Sequence, residues 1–275
     1  MRKISLNFIK RKIYKALPGK IRLRLLRFFL PELKLELDHI FFRTAVTPQD
    51  YLASFNLVYR VFVRTGFTRP GPTPFRIAPQ HCNADSRIFV GFHSEGDEEK
   101  LIYSISIFPD STVNGLPMDT VFNKELDTLR AQGRFLVEAG HLAADPSYKM
   151  NNMTIPMLGN KIMHQYVSRH LDADDIVMTI HPKYRWIYED FLLFEKIGEI
   201  EAYDYANGNP ALAMRLDLRK VEDKYRKAYK NVSSRNNLYH FFFTRESASI
   251  LLPAGPSRIQ KKLLENLKYL YGFNS

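Results

Sequence analysis

The order of hydrophobic periods constrains this chain more than any single motif. Residues 40–47 ("IFFRTAVT") alternate as a strand, and 48–67 carry Leu52, Phe55, Val58, Tyr59 and Phe62 on one helical face behind Pro48. A Pro-rich loop over 68–85 leads into two strand patterns, 87–94 and 101–110, that bracket "EGDEEK" as a hairpin. Then come a helix over 118–133, a strand from Arg134, and a helix over 154–171 with Leu158, Ile162, Tyr166 and Val167 on one face. A strand over 175–182 follows, with a helix over 183–193 and two strands joined by "ANGN". No internal repeat is visible. Helices interleaved with strands that pair partly as hairpins predict one mixed α/β domain, not two.

The 275 residues, 45% apolar, suffice for a sizeable core. The single cysteine, Cys82, excludes an internal disulfide and a cysteine metal cluster, and it suits a reducing compartment. The net charge of +11 is local. Residues 1–30 hold ten Lys or Arg and no acid, leaving 30 basic and 29 acidic side chains for the rest. In this arm Ile4, Phe8, Ile13 and Leu17, then Ile21, Leu23, Leu25, Leu26 and Phe29, alternate with cations around Pro18-Gly19. Charges interrupt every apolar run, so it is neither a secretory signal nor a spanning helix. Three readings stay open: a basic amphipathic segment on anionic lipid, a docking surface for an acidic partner, or a helix packed on its own domain. Nucleic acid is not expected, because no aromatic-basic recognition motif accompanies the charge.

One residue resists the pattern. In "GRFLVEAGHLAAD" (133–145) Glu138 stands in an apolar strand where Leu or Val would pack better. Strict alternation puts Arg134, Leu136, Glu138, Gly140 and Leu142 on one face and turns His141 to the other, as a structural residue. A buried carboxylate of this kind either pairs with a cation, with Arg134 or Arg130 at hand, or carries chemistry. Asp110 and Asp119, flanking "STVNGLPM", read as turn formers, and His181-Pro182 as the end of a strand.

The segments "FNLVYRVFVRTGF", "DSTVNGLPMDTVFNKELDTLRAQGRFLVEAGHLA", "DDIVMTIHPKYRWIY" and "NGNPALAMRLDL" together resemble the FeeM-like N-acyl amino acid synthases. These are a branch of the GCN5-related N-acetyltransferase (GNAT) superfamily, related to the acyl-homoserine-lactone synthases. The resemblance spans about residues 40–220 and is most specific from Leu116 to Ala143. It implies an α/β (α+β) fold, a GNAT-like mixed central sheet flanked by helices, with N- and C-terminal helical extensions. The chain then divides into the arm 1–36, an acyltransferase domain 37–220, and a C-terminal helical extension 221–275 packed on it. In the extension, Ile259, Leu263, Leu267 and Leu270 form a stripe that must be buried, against the domain, a second copy or a membrane.

The resemblance further implies transfer of a long fatty acyl chain from acyl carrier protein to the amine of an amino acid or related amine. An acyltransferase of membrane aminolipid synthesis, or an inactive domain that binds an acyl chain as a sensor, are the alternatives. An amine attacking a thioester must be neutral, so a carboxylate of raised pKa, Glu138, is expected as base or as ammonium ligand. Phe122 is expected along the acyl chain or in the ordinary core, Ser106 near the thioester or as a plain hairpin serine, and Gly140 where backbone and acyl chain approach closely. Arg134 is expected either on the substrate carboxylate or beside Glu138. No cofactor or metal is expected. The segment "ADPSYKMNNMTIPMLG" lacks the Gly-rich pyrophosphate turn of coenzyme-A-using GNATs, which favours a carrier-protein thioester over coenzyme A. Lys149, Lys161 and Arg169 are then candidates to meet an acidic carrier protein. "TRPGPTPFRIAP" replaces the acidic loop of homoserine-lactone synthases, which speaks against S-adenosylmethionine as substrate. The expected location is cytoplasmic and peripheral to the membrane.

Overall fold

The computed structural model describes residues 33–35, 37–148, 154–246 and 250–251. The basic arm, Lys149 and the apolar helix expected over 257–273 lie outside these residues. Eight strands form one mixed sheet: β1 (Ile40–Thr44), β2 (Arg87–Glu95), β3 (Glu98–Pro109), β4 (Leu136–Ala144), β5 (Asp175–Ile180), β6 (Glu195–Tyr203), β7 (Asn209–Asp217) and β8 (Ile250–Leu251). Their order is β6-β7-β5-β4-β3-β2-β1-β8. Only β4/β5 and β1/β8 run parallel. The helices are α1 (Pro48–Thr65), α2 (Asp119–Arg130), α3 (Thr154–Arg169) and α4 (Val221–Tyr229). Among the described residues no helix is long and apolar enough to cross a membrane.

Local chemistry explains the element ends that frame the sheet. Thr47 and Asp50 form a reciprocal capping box at the start of α1, and Gly66 closes it in the left-handed region at φ 79°. The β2–β3 connection is tighter than the six residues expected, with the strands running on to Glu95 and Glu98 around Gly96 at φ 62°.

The two faces are covered differently. Helix α1 lies on one face, where Ser54 Oγ and Ser104 Oγ are hydrogen-bonded at 2.6 Å, and α2 packs on the same side over Phe108, Leu136 and Val177. Helix α3 covers the other face, on Tyr103, Ile105 and Val137. Its outer side is covered as well. Phe241 and Phe242, from a π-turn at His240–Thr244, join the same core, and Lys161 Nζ donates to the carbonyls of Phe241 and Arg245. Lys161 is fully buried, so it is not a surface for a carrier protein; Arg169, one helical end away, is exposed. The helix expected over 183–193 breaks into a 3-10 turn (Pro182–Tyr184) and a π-turn (Ile187–Phe191). Two hydroxyls of α4, Tyr225 and Tyr229, capture the carbonyls of Leu192 and Phe191 at 2.7 Å each and end the coil there.

The placement of β4 against β5 matters most. The two pair only at Leu136↔Asp175, Val137↔Ile176 and Glu138↔Val177, and beyond Glu138 they diverge. Below that point they are pinned. Asp175, with its side chain wholly buried, accepts from Arg134 Nε and Nη2 and from Arg215 Nε (2.8 Å) on β7, and Arg134 Nη2 also reaches Asp217 at 3.0 Å. Arg134 is therefore neither the partner of Glu138 nor free to hold a substrate carboxylate. Its fork is taken by two acids, Asp175 and Asp217, that lie some forty and eighty positions further along the chain. Arg134→Met should lower unfolding stability by about 2–3 kcal/mol, the scale of hydrogen bonds to a buried charge, read as a lower urea midpoint. A role on the substrate would instead raise the acceptor KM at unchanged stability.

Candidate active site

The divergence of β4 and β5 opens a cleft of about 180 Å³. Ala139 to Leu142 line it from one strand and Met178 to Ile180 from the other, and Phe62, Phe67, Phe108 and Tyr188 are among the aromatic rings that close it. Glu138 stands in this wall at the last paired residue before the opening. It is 2% exposed. Its Oε2 accepts one hydrogen bond, from the Met118 N–H at 2.9 Å, and among the described residues no cation is paired with it. Burial raises its pKa to about 8; the Met118 N–H opposes that shift, and the nearby Asp119 adds to it.

The loop that delivers Met118 is locked by charges. Arg130 holds Asp110 at 2.7 and 3.0 Å and Asp119 at 2.7 and 2.8 Å. Asp119 also accepts from the Leu116 N–H at 2.6 Å, and Gly115 takes φ 54° to let the chain turn. Asp110 and Asp119 thus do more than form a turn: they hold the Met118 amide against Glu138. Arg130, the other cation considered for Glu138, is consumed here.

His141 corrects the alternation argument. Three steps along β4, from Gly140 to Ala143, oppose two along β3, from Ser106 to Ser104, so β4 carries a bulge. His141 sits in it at φ 50° and joins the cleft wall with Glu138. Its Nε2 is 2.7 Å from the Tyr205 hydroxyl, while its Nδ1 is buried without a partner. Burial holds this imidazole well below its usual pKa, so it is neutral. His81 packs on His141 with ring centroids 4.9 Å apart. Its Nδ1 lies 2.9 Å from the Ala78 nitrogen and 3.2 Å from the Ala78 carbonyl oxygen, and its Nε2 is 3.1 Å from Ser106 Oγ. Burial lowers the His81 pKa to about 3.

The other expected residues separate. Gly140 lines the cleft, and a Cβ there would meet only Phe108, at 3.5 Å, and the Glu138 carboxylate, at 4.0 Å. Ser106 does not line it; it stands behind the wall, held by His81. Phe122 does not line it either. It sits at a kink in α2 (φ −119°, ψ 25°), packed with Met118 and Leu126 and against β6 at Gly198, where a Cβ would approach its ring to 3.0 Å. His181 caps the turn after β5, accepting from the Lys183 N–H at 3.1 Å, and also lines the cleft. Sequence reading missed His81, His141, Tyr203 and Tyr205. A bulge and a loop bring them in, and neither has a period to read.

A mixed sheet whose parallel centre splays open at a buried residue is a GNAT-like fold. The family model described as N-acyl amino acid synthase FeeM matches residues 53–217, and the chain belongs to that family of N-acyltransferases. The structure of FeeM, an N-acyl amino acid synthase from uncultured soil microbes, superposes with a TM-score of 0.57 at 24% identity, covering 67% of this chain and 94% of that one. The CoA-dependent acyl-homoserine lactone synthase BjaI, with SAM and isopentyl-CoA, gives a TM-score of 0.50 at 14% identity over 82% and 99%. The AHL synthase LasI gives 0.50 at 13% over 71% and 97%. A comparison with curated protein sequences found no match.

The raised pKa has a stability consequence. Folded Glu138 holds its proton up to about pH 8, whereas the unfolded side chain releases it near 4.5, so its burial costs progressively more stability as pH rises between those values. Glu138→Gln should therefore raise the unfolding free energy, by little at pH 5 and by about 3–5 kcal/mol at pH 8. A gain that is the same at both pH values would contradict the buried, uncompensated carboxyl.

Proposed function

We propose that the protein joins a fatty acyl group to the amine of an amino acid or a related amine, with the acyl group delivered as a thioester on acyl carrier protein. The observation that carries this is Glu138: a carboxylate with one backbone donor and no counter-ion, at the point where an apolar cleft opens. In the reaction the amine nitrogen attacks the thioester carbonyl carbon, and the C–N bond forms as the C–S bond breaks. Glu138 takes the proton that the amine must lose, directly or through a water, and the carrier leaves as its thiol. A base of pKa near 8 matches this task at neutral pH better than an ordinary carboxylate. The aromatic and aliphatic walls of the cleft suit the alkyl chain, and the unpartnered Nδ1 of His141 offers a hydrogen-bonding atom beside it.

Two observations favour the carrier protein over coenzyme A. The segment after β4 has no Gly-rich turn to hold a pyrophosphate. The exposed Arg169 at the end of α3 and the basic arm offer cations to an acidic partner. The arm also supports a peripheral membrane location, where a long-chain product would partition on release.

Wild type given the same acyl chain on each carrier should turn over the carrier-protein thioester with the higher kcat/KM; equal values would remove the donor assignment. With that donor, Glu138→Gln should lose about 10²-fold or more in kcat, and the wild-type rate should climb with pH to a plateau above about 8. Near-normal turnover by the variant at saturating amine would return Glu138 to a structural role. The full chain should co-sediment with anionic vesicles at low salt, and lose that binding at high salt or on neutral vesicles. Indifference to lipid charge and salt would argue that the arm is not an electrostatic anchor.

A further inference from the structure

Beside the cleft lies a second hollow, of about 500 Å³, of opposite character. Its lining includes Thr68, Arg69, Arg76, Asp204 and Asn207, where the cleft is walled by rings. The two hollows adjoin at Phe67 and Tyr205, which line both. Two connections build it: the loop after α1, which carries residues 67–76, and the β6–β7 turn. The same Tyr205 whose hydroxyl meets His141 in the cleft carries Arg76 on its ring, at 4.3 Å from the guanidinium carbon.

Arg76 is held but not neutralised. Its Nη2 donates to the Tyr205 carbonyl at 2.7 Å, and the ring beneath keeps the fork flat. Its Nε is buried and has no hydrogen-bond partner. Among the described residues no carboxylate lies within ion-pair distance of it; Asp204 is exposed at the rim and makes no pair with it. Arg43, Arg130, Arg134 and Arg215 are all taken by acids. Thr68, in the same hollow, also has a buried hydroxyl without a partner. Arg69 is used at the edge, where its Nε donates to Asn207 Oδ1 at 2.9 Å. A guanidinium anchored through Nη2, which no described acid neutralises, in a hollow that also holds an unpartnered hydroxyl, suits a planar anion.

We propose that Arg76, assisted by Thr68, holds the α-carboxylate of the acceptor, so that the enzyme acylates amino acids and not plain amines. The inference rests on the N-acyl transfer proposed above and names the group that selects its acceptor. The ends of the substrates sort by chemistry: the alkyl chain into the ring-lined cleft, the carboxylate onto the adjoining wall where Arg76 stands. The carboxylate role first considered for Arg134 falls to Arg76, because Arg134 is spent on Asp175 and Asp217.

Product binding tests this without turnover. N-octanoylglycine and its neutral counterpart N-octanoylglycinamide differ only in the carboxylate. Titration calorimetry on the wild type should show the acid bound about 10- to 100-fold tighter than the amide, the range for a forked Arg–carboxylate contact. Arg76→Gln should abolish that preference while leaving amide binding unchanged, which also reports that the variant is folded. Arg76→Lys, which keeps the charge and loses the fork, should retain part of it. No preference in the wild type, a preference that survives in Arg76→Gln, or no binding of either compound would overturn the assignment. An enzyme that acylates amines without carboxylate preference keeps the reaction and loses the clamp. A protein that binds the acid through Arg76 yet acylates nothing keeps the clamp and loses the reaction.

Discussion

The buried carboxylate of Asp175 is what the rest of the arrangement depends on. Parallel strands in a sheet normally keep their ladder to the end, because abandoning it leaves backbone donors and acceptors unpaired. Here β4 and β5 pair for three residues and then separate. Asp175, bridged to Arg134 from the start of β4 and to Arg215 on β7, ties three elements together at the closed end. The bulge at His141 lengthens β4 locally and turns it away at the open end. One end fixed and the other bent gives a V, and Glu138 lies at its vertex. The backbone groups freed along both arms are the ones a substrate amide or thioester can meet.

The carboxylates around this vertex are set apart by how the cations are shared. Arg130 is given to Asp110 and Asp119, and Arg134 and Arg215 to Asp175. Glu138 receives a single backbone N–H. Its proton is therefore retained until about pH 8, whereas a cation at the same place would have fixed it as a permanent anion. Arg130 serves Glu138 indirectly, by holding the loop that carries Met118 without supplying charge to the carboxyl.

The main elements were legible because each buries a regular stripe: period two through 87–110, period three to four through α1 and α3. Glu138 stood out for the opposite reason, a charge in a strand that otherwise asks for Leu and Val. What could not be read shares one cause, the loss of regularity. The extra residue at His141 inverts the face on which alternation places it. Lys161 looked solvated because nothing local shows that residues 240–245, some eighty positions on, close over α3 and lend it their carbonyls. Arg134 looked available because Asp175 and Asp217 reach it only through the sheet order. Ion pairs across non-adjacent segments leave no periodic trace.

The electrostatic layout gives the site a direction. Within the cleft the titratable side chains are neutral at pH 7: Glu138 still carries most of its proton, His81 and His141 are kept unprotonated by burial, and the Tyr205 phenol is pushed up to about 12. An alkyl chain entering there meets no fixed charge that it would have to strip of water. The nearest unneutralised guanidinium, Arg76, stands on the far side of Tyr205. The apolar and the polar hollow thus meet at Phe67 and Tyr205. Among the described residues Glu138 is the one acid that lines the cleft. This division has one origin: the acids below the vertex hold Arg130, Arg134 and Arg215, and the acid at the vertex has a backbone N–H instead.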